Sequence, residues 1–97
     1  MPTFISQLNW TDQGIRNVKD GPQRVREAIQ GAEAAGAKVE AWYLTMGSYD
    51  AVAIAEAPDD ETAAALLLAL GQLGNARSET LRAFSLDEFE RILSKLP

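Results

Sequence analysis

Tyr49 and Asp50 stand side by side after Gly47-Ser48 and just ahead of the apolar Val52 and Ile54. A pleated backbone alternates its side chains, so Asp50 shares a face with Val52 and Ile54 while Tyr49 points the other way. A carboxylate among apolar groups is held back from ionising. That suits it to donate or accept a proton near neutrality, with the Tyr49 hydroxyl close by. The competing reading is structural: an Asp beside a hairpin accepts backbone N–H groups, a Gly lets the chain turn, and the tyrosine packs.

Trp10 could stack on a planar ligand where a strand meets a helix, and the helix start could attract an anion. Its structural alternative is an anchor, with Thr11 and Asp12 only capping the helix. Arg82 and Arg77 could clamp a carboxylate or phosphate, although Arg77 lies near enough to Glu79 to pair with it across strands. Trp10, Tyr43, Tyr49 and Arg82 would together wall a cleft for a small aromatic or carboxylate-bearing molecule. Glu56, Asp59, Asp60 and Glu61 crowd a helix start, where acids complement the helix dipole, and no metal is expected there. Gly71-Gln72-Leu73-Gly74 follows a helix rather than a strand, so it lacks the context of a phosphate-cradling loop.

The 97 residues include no histidine and no cysteine. This removes Ser-His-Asp and Cys-His nucleophiles, Cys/His zinc sites, iron–sulfur clusters and the usual haem ligands, and no cofactor is expected. Nine Lys and Arg against fourteen Asp and Glu give a net charge of −5. Scattered cations in that minority do not make the basic stripe that nucleic acid requires, and an acidic membrane surface would repel the chain. The opening Met1-Pro2-Thr3-Phe4-Ile5-Ser6-Gln7 lacks the basic start and long apolar stretch of a secretion signal, so the cytoplasm is the expected location. The apolar run from Ala63 to Gly71 is far short of the roughly 20 residues of a membrane span.

The elements that must position these residues follow from periodicity and caps. Thr3 to Trp10 alternates as a strand, with Phe4, Ser6, Leu8 and Trp10 on one face. Thr11 caps a helix that Asp20-Gly21-Pro22 breaks in two; Val25, Ala28, Ile29 and Ala32 then line one stripe, and Gly36 ends it. Lys38–Thr45 and Asp50–Ala57 read as strands joined by a hairpin in which Gly47 takes positive φ. Pro58-Asp59-Asp60-Glu61 opens a helix whose body, Thr62–Leu73, is apolar nearly all round, which predicts cover on more than one side. Ala76–Phe84 is the fourth strand. Ser85-Leu86-Asp87-Glu88 is a capping box for a last helix, Asp87–Lys95, with Leu86, Phe89, Ile92 or Leu93, and Leu96 on one stripe.

The order β-α-β-β-α-β-α over residues 1–97 predicts one α+β domain: a ferredoxin-like βαββαβ unit plus a C-terminal helix, its four-stranded antiparallel sheet covered by helices on one face. The uncovered face, read as carrying Thr3, Gln7, Asn9, Ser78, Thr80 and Arg82, would meet solvent. A chain this short buries only about 60–65% of its unfolded surface, and aromatic residues on the strands favour a homodimer through that same face. The last helix is placed to reach across such an interface or a further one.

Thr45-Met46-Gly47-Ser48-Tyr49-Asp50, then Val52-Ala53-Ile54 and Glu56-Ala57-Pro58-Asp59-Asp60, resemble the GYD domain family of small bacterial and archaeal proteins. Asn9–Gly14, Leu70–Asn75 and Thr80–Phe84 resemble its other characteristic stretches, and Ser48 separates the glycine from the Tyr-Asp pair. The resemblance implies a dimeric α/β barrel, two ferredoxin-like sheets packed face to face, and supplies no catalytic residues. Three functions remain open: a homodimeric module binding a small molecule; a cofactor-independent enzyme, monooxygenase- or isomerase-like, with Asp50 and Tyr49 moving protons and Arg82 steadying an oxyanion; and a structural or assembly protein.

Overall fold

Alternating side chains along Thr3–Trp10 produce strand β1 with the predicted bounds in the computed structural model, which describes residues 1–97. The Thr11 hydroxyl accepts the Gly14 N–H at 3.1 Å and starts helix α1 (Asp12–Arg16), and a 3-10 turn over Val18–Asp20 separates it from α2 (Gly21–Ala34). Pro22 in the first turn of α2 loses no hydrogen bond there. Strand β2 (Lys38–Leu44), strand β3 (Ala51–Glu56), helix α3 (Asp60–Gln72), strand β4 (Ala76–Ala83) and helix α4 (Leu86–Leu93) complete the chain. Gly36, Gly47 and Gly74 carry the positive φ angles. Both halves of the Ser85/Glu88 capping box are formed.

The sheet order is β2-β3-β1-β4 with every neighbour antiparallel, the ferredoxin-like arrangement. Residues directly opposite one another share a face, so the register defines two sides. Under α2 and α3 lie Phe4, Ser6 and Leu8 of β1, Ala51, Ala53 and Ala55 of β3, Trp42 of β2 and Thr80 of β4. The other side carries the row Ala41–Ile54–Ile5–Leu81, and beside it Tyr43–Val52–Gln7–Glu79.

This register corrects the expected uncovered face. Thr3, Gln7 and Asn9 do lie there, but Ser78, Thr80 and Arg82 pair with Leu8, Ser6 and Phe4 and share the opposite side. The cause is local: the Ser6 and Thr80 hydroxyls hydrogen-bond to each other at 2.8 Å, so both are tolerated beneath the helices.

The core is small and divided. Leu8, Ala51 and Ala76 form one buried cluster with Trp10, Trp42, Ala53 and Leu70 packed against it. Ala37, Ala57 and Ala63 form a second near the other end of the strands, with Phe4, Ala32 and Leu66 around it. The expected all-round cover of α3 is absent within the chain: Ala63 is buried, but Leu68 on its outer side is 72% exposed. Helix α4 has no buried residue at all.

Candidate functional site

Three surfaces compete for function: the end of the sheet around Tyr49 and Asp50, the space between helices and sheet, and the uncovered apolar side with α4. At the first, Asp50 lies just before β3. Its Oδ2 accepts the Trp10 N–H at 2.9 Å, and its own N–H donates to the Leu8 carbonyl at 2.8 Å. The side chain therefore holds the end of β1. The Thr45 N–H donates to the Asp50 carbonyl at 2.9 Å and its hydroxyl to the Tyr49 carbonyl at 2.6 Å, which closes the hairpin.

Tyr49 reaches from that hairpin to β4, where its hydroxyl donates to Glu79 Oε2 at 2.8 Å. The hydrogen bond, with some desolvation and the negative charge of Glu79, raises the Tyr49 pKa above the usual phenol value. A hydroxyl held this way stays protonated and engaged.

The other predicted ligand contacts are spread apart. Trp10 packs beside Trp42 on the helix side, near Val18, Pro22 and Val25. Tyr43, next to Trp42 on an alternating strand, points to the uncovered side and is 62% exposed. Arg82 lays its guanidinium over the rings of Phe84, 4.3 Å from the centroid, and Phe4, at 5.8 Å. Trp10 and Tyr43 thus stand on opposite faces of the sheet and do not wall one cleft. No cluster of three or more Asp or Glu side chains is arranged to hold a metal ion.

Between the helices and the sheet is a cavity of about 570 Å³. Val25, Ile29 and Ala32 of α2 and Leu66, Leu67 and Leu70 of α3 are its walls; Ser6, Ala53, Ala55 and Thr80 are part of its floor. No lysine or arginine lines it. Sequence reasoning missed this feature, yet a signal exists in β3: Ala51-Val52-Ala53-Ile54-Ala55 alternates small with large, and the small set faces the helices.

The uncovered side receives the large set. Ile5, Ile54 and Val52 are half-buried there, and Leu81 is exposed. Lys38 and Glu56 stand at one end of this face, Glu79 and Arg77 toward the other. Beyond β4, α4 presents Leu86, Phe89 and Leu93 to the outside, Leu86 at 79% exposure, and Leu96 is exposed just past its end.

Comparison with known proteins gives a direction. The family model of the GYD domain matches residues 4–93. The chain is similar to the "Glutamine synthetase and cystathionine beta-lyase binding protein" of Thermus thermophilus, at 38% identity over 84 residues that cover 86% of this chain and 88% of the relative. No solved structure matches it.

Proposed function

The chain belongs to the GYD domain family, and on that premise we propose that it is a homodimeric module that binds other proteins. One observation carries the reading: Ile5, Ile54 and Leu81 on the open sheet face and Leu86, Phe89 and Leu93 on α4 sit on surfaces the chain leaves uncovered, while five of its six buried apolar residues are alanines. Apolar surface of that extent on a small domain marks contact with another macromolecule.

The sheet face is assigned to a second copy. It spans four strands of up to eight residues, about 19 by 26 Å at standard strand spacing and rise. Two such faces in contact hide on the order of 1,000 Å², the lower bound for a specific interface. A two-fold axis through its middle lays the Ala41–Ile54–Ile5–Leu81 row on its own copy. This is the dimeric α/β barrel expected from the sequence.

Helix α4 is assigned to the partner protein, its Leu86, Phe89 and Leu93 stripe entering an apolar groove in the way amphipathic helices are recognised. The name of the Thermus relative makes glutamine synthetase and cystathionine beta-lyase the partners to try first. The chain is acidic, has no helix long and apolar enough to cross a membrane, and is proposed to work in the cytoplasm. An enzymatic role for Asp50 and Tyr49 finds less support, since both polar groups are engaged with Trp10 and Glu79.

Interferometry with each purified enzyme from the chain's own organism, immobilised in turn, tests this. Saturable binding that Phe89→Ser/Leu93→Ser weakens at least tenfold supports the proposal. Absence of binding to both enzymes, with the dimer intact, contradicts the partner assignment.

A further inference from the structure

The cavity under α2 and α3 lies between the two core clusters, and the fold holds it open from both ends. At one end, the Thr11 N–H donates to the Asn75 carbonyl at 3.1 Å, and Gln13 Nε2 donates to the Leu73 carbonyl at 3.0 Å and to Asn75 Oδ1 at 2.9 Å. Gly14 lies so close to Asn75 that any Cβ would overlap its carbonyl. At the other end, Ala37, Ala57 and Ala63 pack together, and Pro58 lies 3.4 Å from where a Gly36 Cβ would stand. The helix layer is thus fixed at its ends over a floor in which the small side chains of Ala53, Ala55, Ser6 and Thr80 leave the middle unfilled.

Water is a poor occupant for that space. The floor hydroxyls of Ser6 and Thr80 are already bonded to each other, and the walls offer mostly aliphatic carbon. The space opens to solvent, and a water ordered against its walls still needs about three polar partners. Helix α4 of a second copy is a poor occupant as well, because between two apolar layers its Asp87, Glu90 and Arg91 would be left without partners. The volume of about 570 Å³ instead falls in the range that takes one drug-sized molecule.

We infer that the cavity is a binding site for one uncharged, largely apolar small molecule per chain. No lysine or arginine lines the space to meet an anionic head, and the one carboxylate among its residues, Glu56, belongs by register to the far side of the sheet, so a charged group of either sign would enter without a partner. The aliphatic side chains of α2 and α3 supply contact area, and the alanine floor sets the depth. The site lies on the opposite side of the sheet from the proposed dimer face, so it goes beyond the protein-binding reading and does not depend on it.

The test uses two fluorescent probes of similar shape, uncharged N-phenyl-1-naphthylamine and its sulfonated analogue 1-anilinonaphthalene-8-sulfonate, titrated into the full chain. The uncharged probe is expected to saturate at one per chain and to bind at least tenfold tighter than the sulfonate. Ala53→Leu and, separately, Ala55→Leu fill the floor and should each weaken it at least tenfold with unchanged circular dichroism. Leu68→Ser, on the exposed outer side of α3, should leave it unchanged. Equal or tighter binding of the sulfonate overturns the inference, as does insensitivity to both floor variants or no saturable binding. Tighter probe binding in Phe89→Ser/Leu93→Ser would mean that α4 fills the space, and would overturn it too.

Discussion

The two sides of strand β3 carry residues of opposite size. Under the helices β3 presents only Ala51, Ala53 and Ala55, and the neighbouring strands add Phe4, Leu8 and Trp42 with Ser6 and Thr80; on the open side stand Val52 and Ile54 of β3 with Ile5, Leu81 and Tyr43. A monomer would place its bulk under its own helices, because buried methyl groups stabilise and exposed ones do not. In β3 the larger groups are on the side the chain does not cover, and the helix side draws its bulk from Phe4, Leu8 and Trp42 instead. Along β3 the size of the side chains, more than their polarity, tells which face awaits a second surface and which leaves room beneath the helices.

The largest expected effect breaks that contrast on the open side. Ile54→Asp sets two carboxylates near each other across the proposed two-fold, and an unpaired buried charge costs about 3–5 kcal/mol, so dimer affinity should fall on the order of 100-fold or more. Sedimentation velocity across a dilution series, with circular dichroism to check the fold, reads this directly.

A smaller effect breaks the helix side. Gly14→Ala drives a methyl group into the Asn75 carbonyl where α1 meets the start of β4. Overpacking of this kind costs about 1–3 kcal/mol, and each kcal/mol lowers Tm by about 4–8 °C in a domain of this size. Calorimetry should show that fall while the dimer dissociation constant, measured at low temperature, stays within about twofold.

Acid separates the two helix caps. The Thr62 N–H donates to Asp59, and the Ser85 N–H to Glu88; both bonds hold the carboxyls below their ordinary pKa values. A depressed folded-state pKa means the contribution is complete above the unfolded value, about pH 4 for these carboxyls, and is lost as pH falls through the lower folded value. Helix α3 covers the sheet and α4 does not. Asp59→Asn should therefore flatten the decline of Tm below that pH, whereas Glu88→Gln should leave the decline of Tm unchanged. The smallest effect is on α4 itself: Phe89→Ser/Leu93→Ser should move the unfolding free energy by no more than about 0.5 kcal/mol, because neither residue is packed in the core.

The sequence disclosed local chemistry better than long-range phase. Strand β1, the Thr11 cap, the Pro22 restart of α2 and the Ser85/Glu88 box were all legible, since each rests on a few neighbouring atoms. Alternation within β4 was legible too, but not its phase against β1: two polar strands can pair in either register, and only the Ser6–Thr80 hydrogen bond shows why the hydroxyls turn inward. The same uncertainty of phase put Trp10 and Tyr43 in one imagined cleft, although the structure sets them on opposite faces. The engagement of Asp50 by Trp10 joins residues 40 apart in sequence, and nothing local to either announces it.

The solution mass of the unmodified chain tests the central claim most directly. Sedimentation equilibrium at low micromolar concentration should give twice the chain mass, reduced to a single chain mass by Ile54→Asp and unaffected by Ala53→Leu on the other side of the same strand. A folded, stable monomer of the unmodified chain at that concentration would contradict the account, because the large apolar face would then be shown to need no cover.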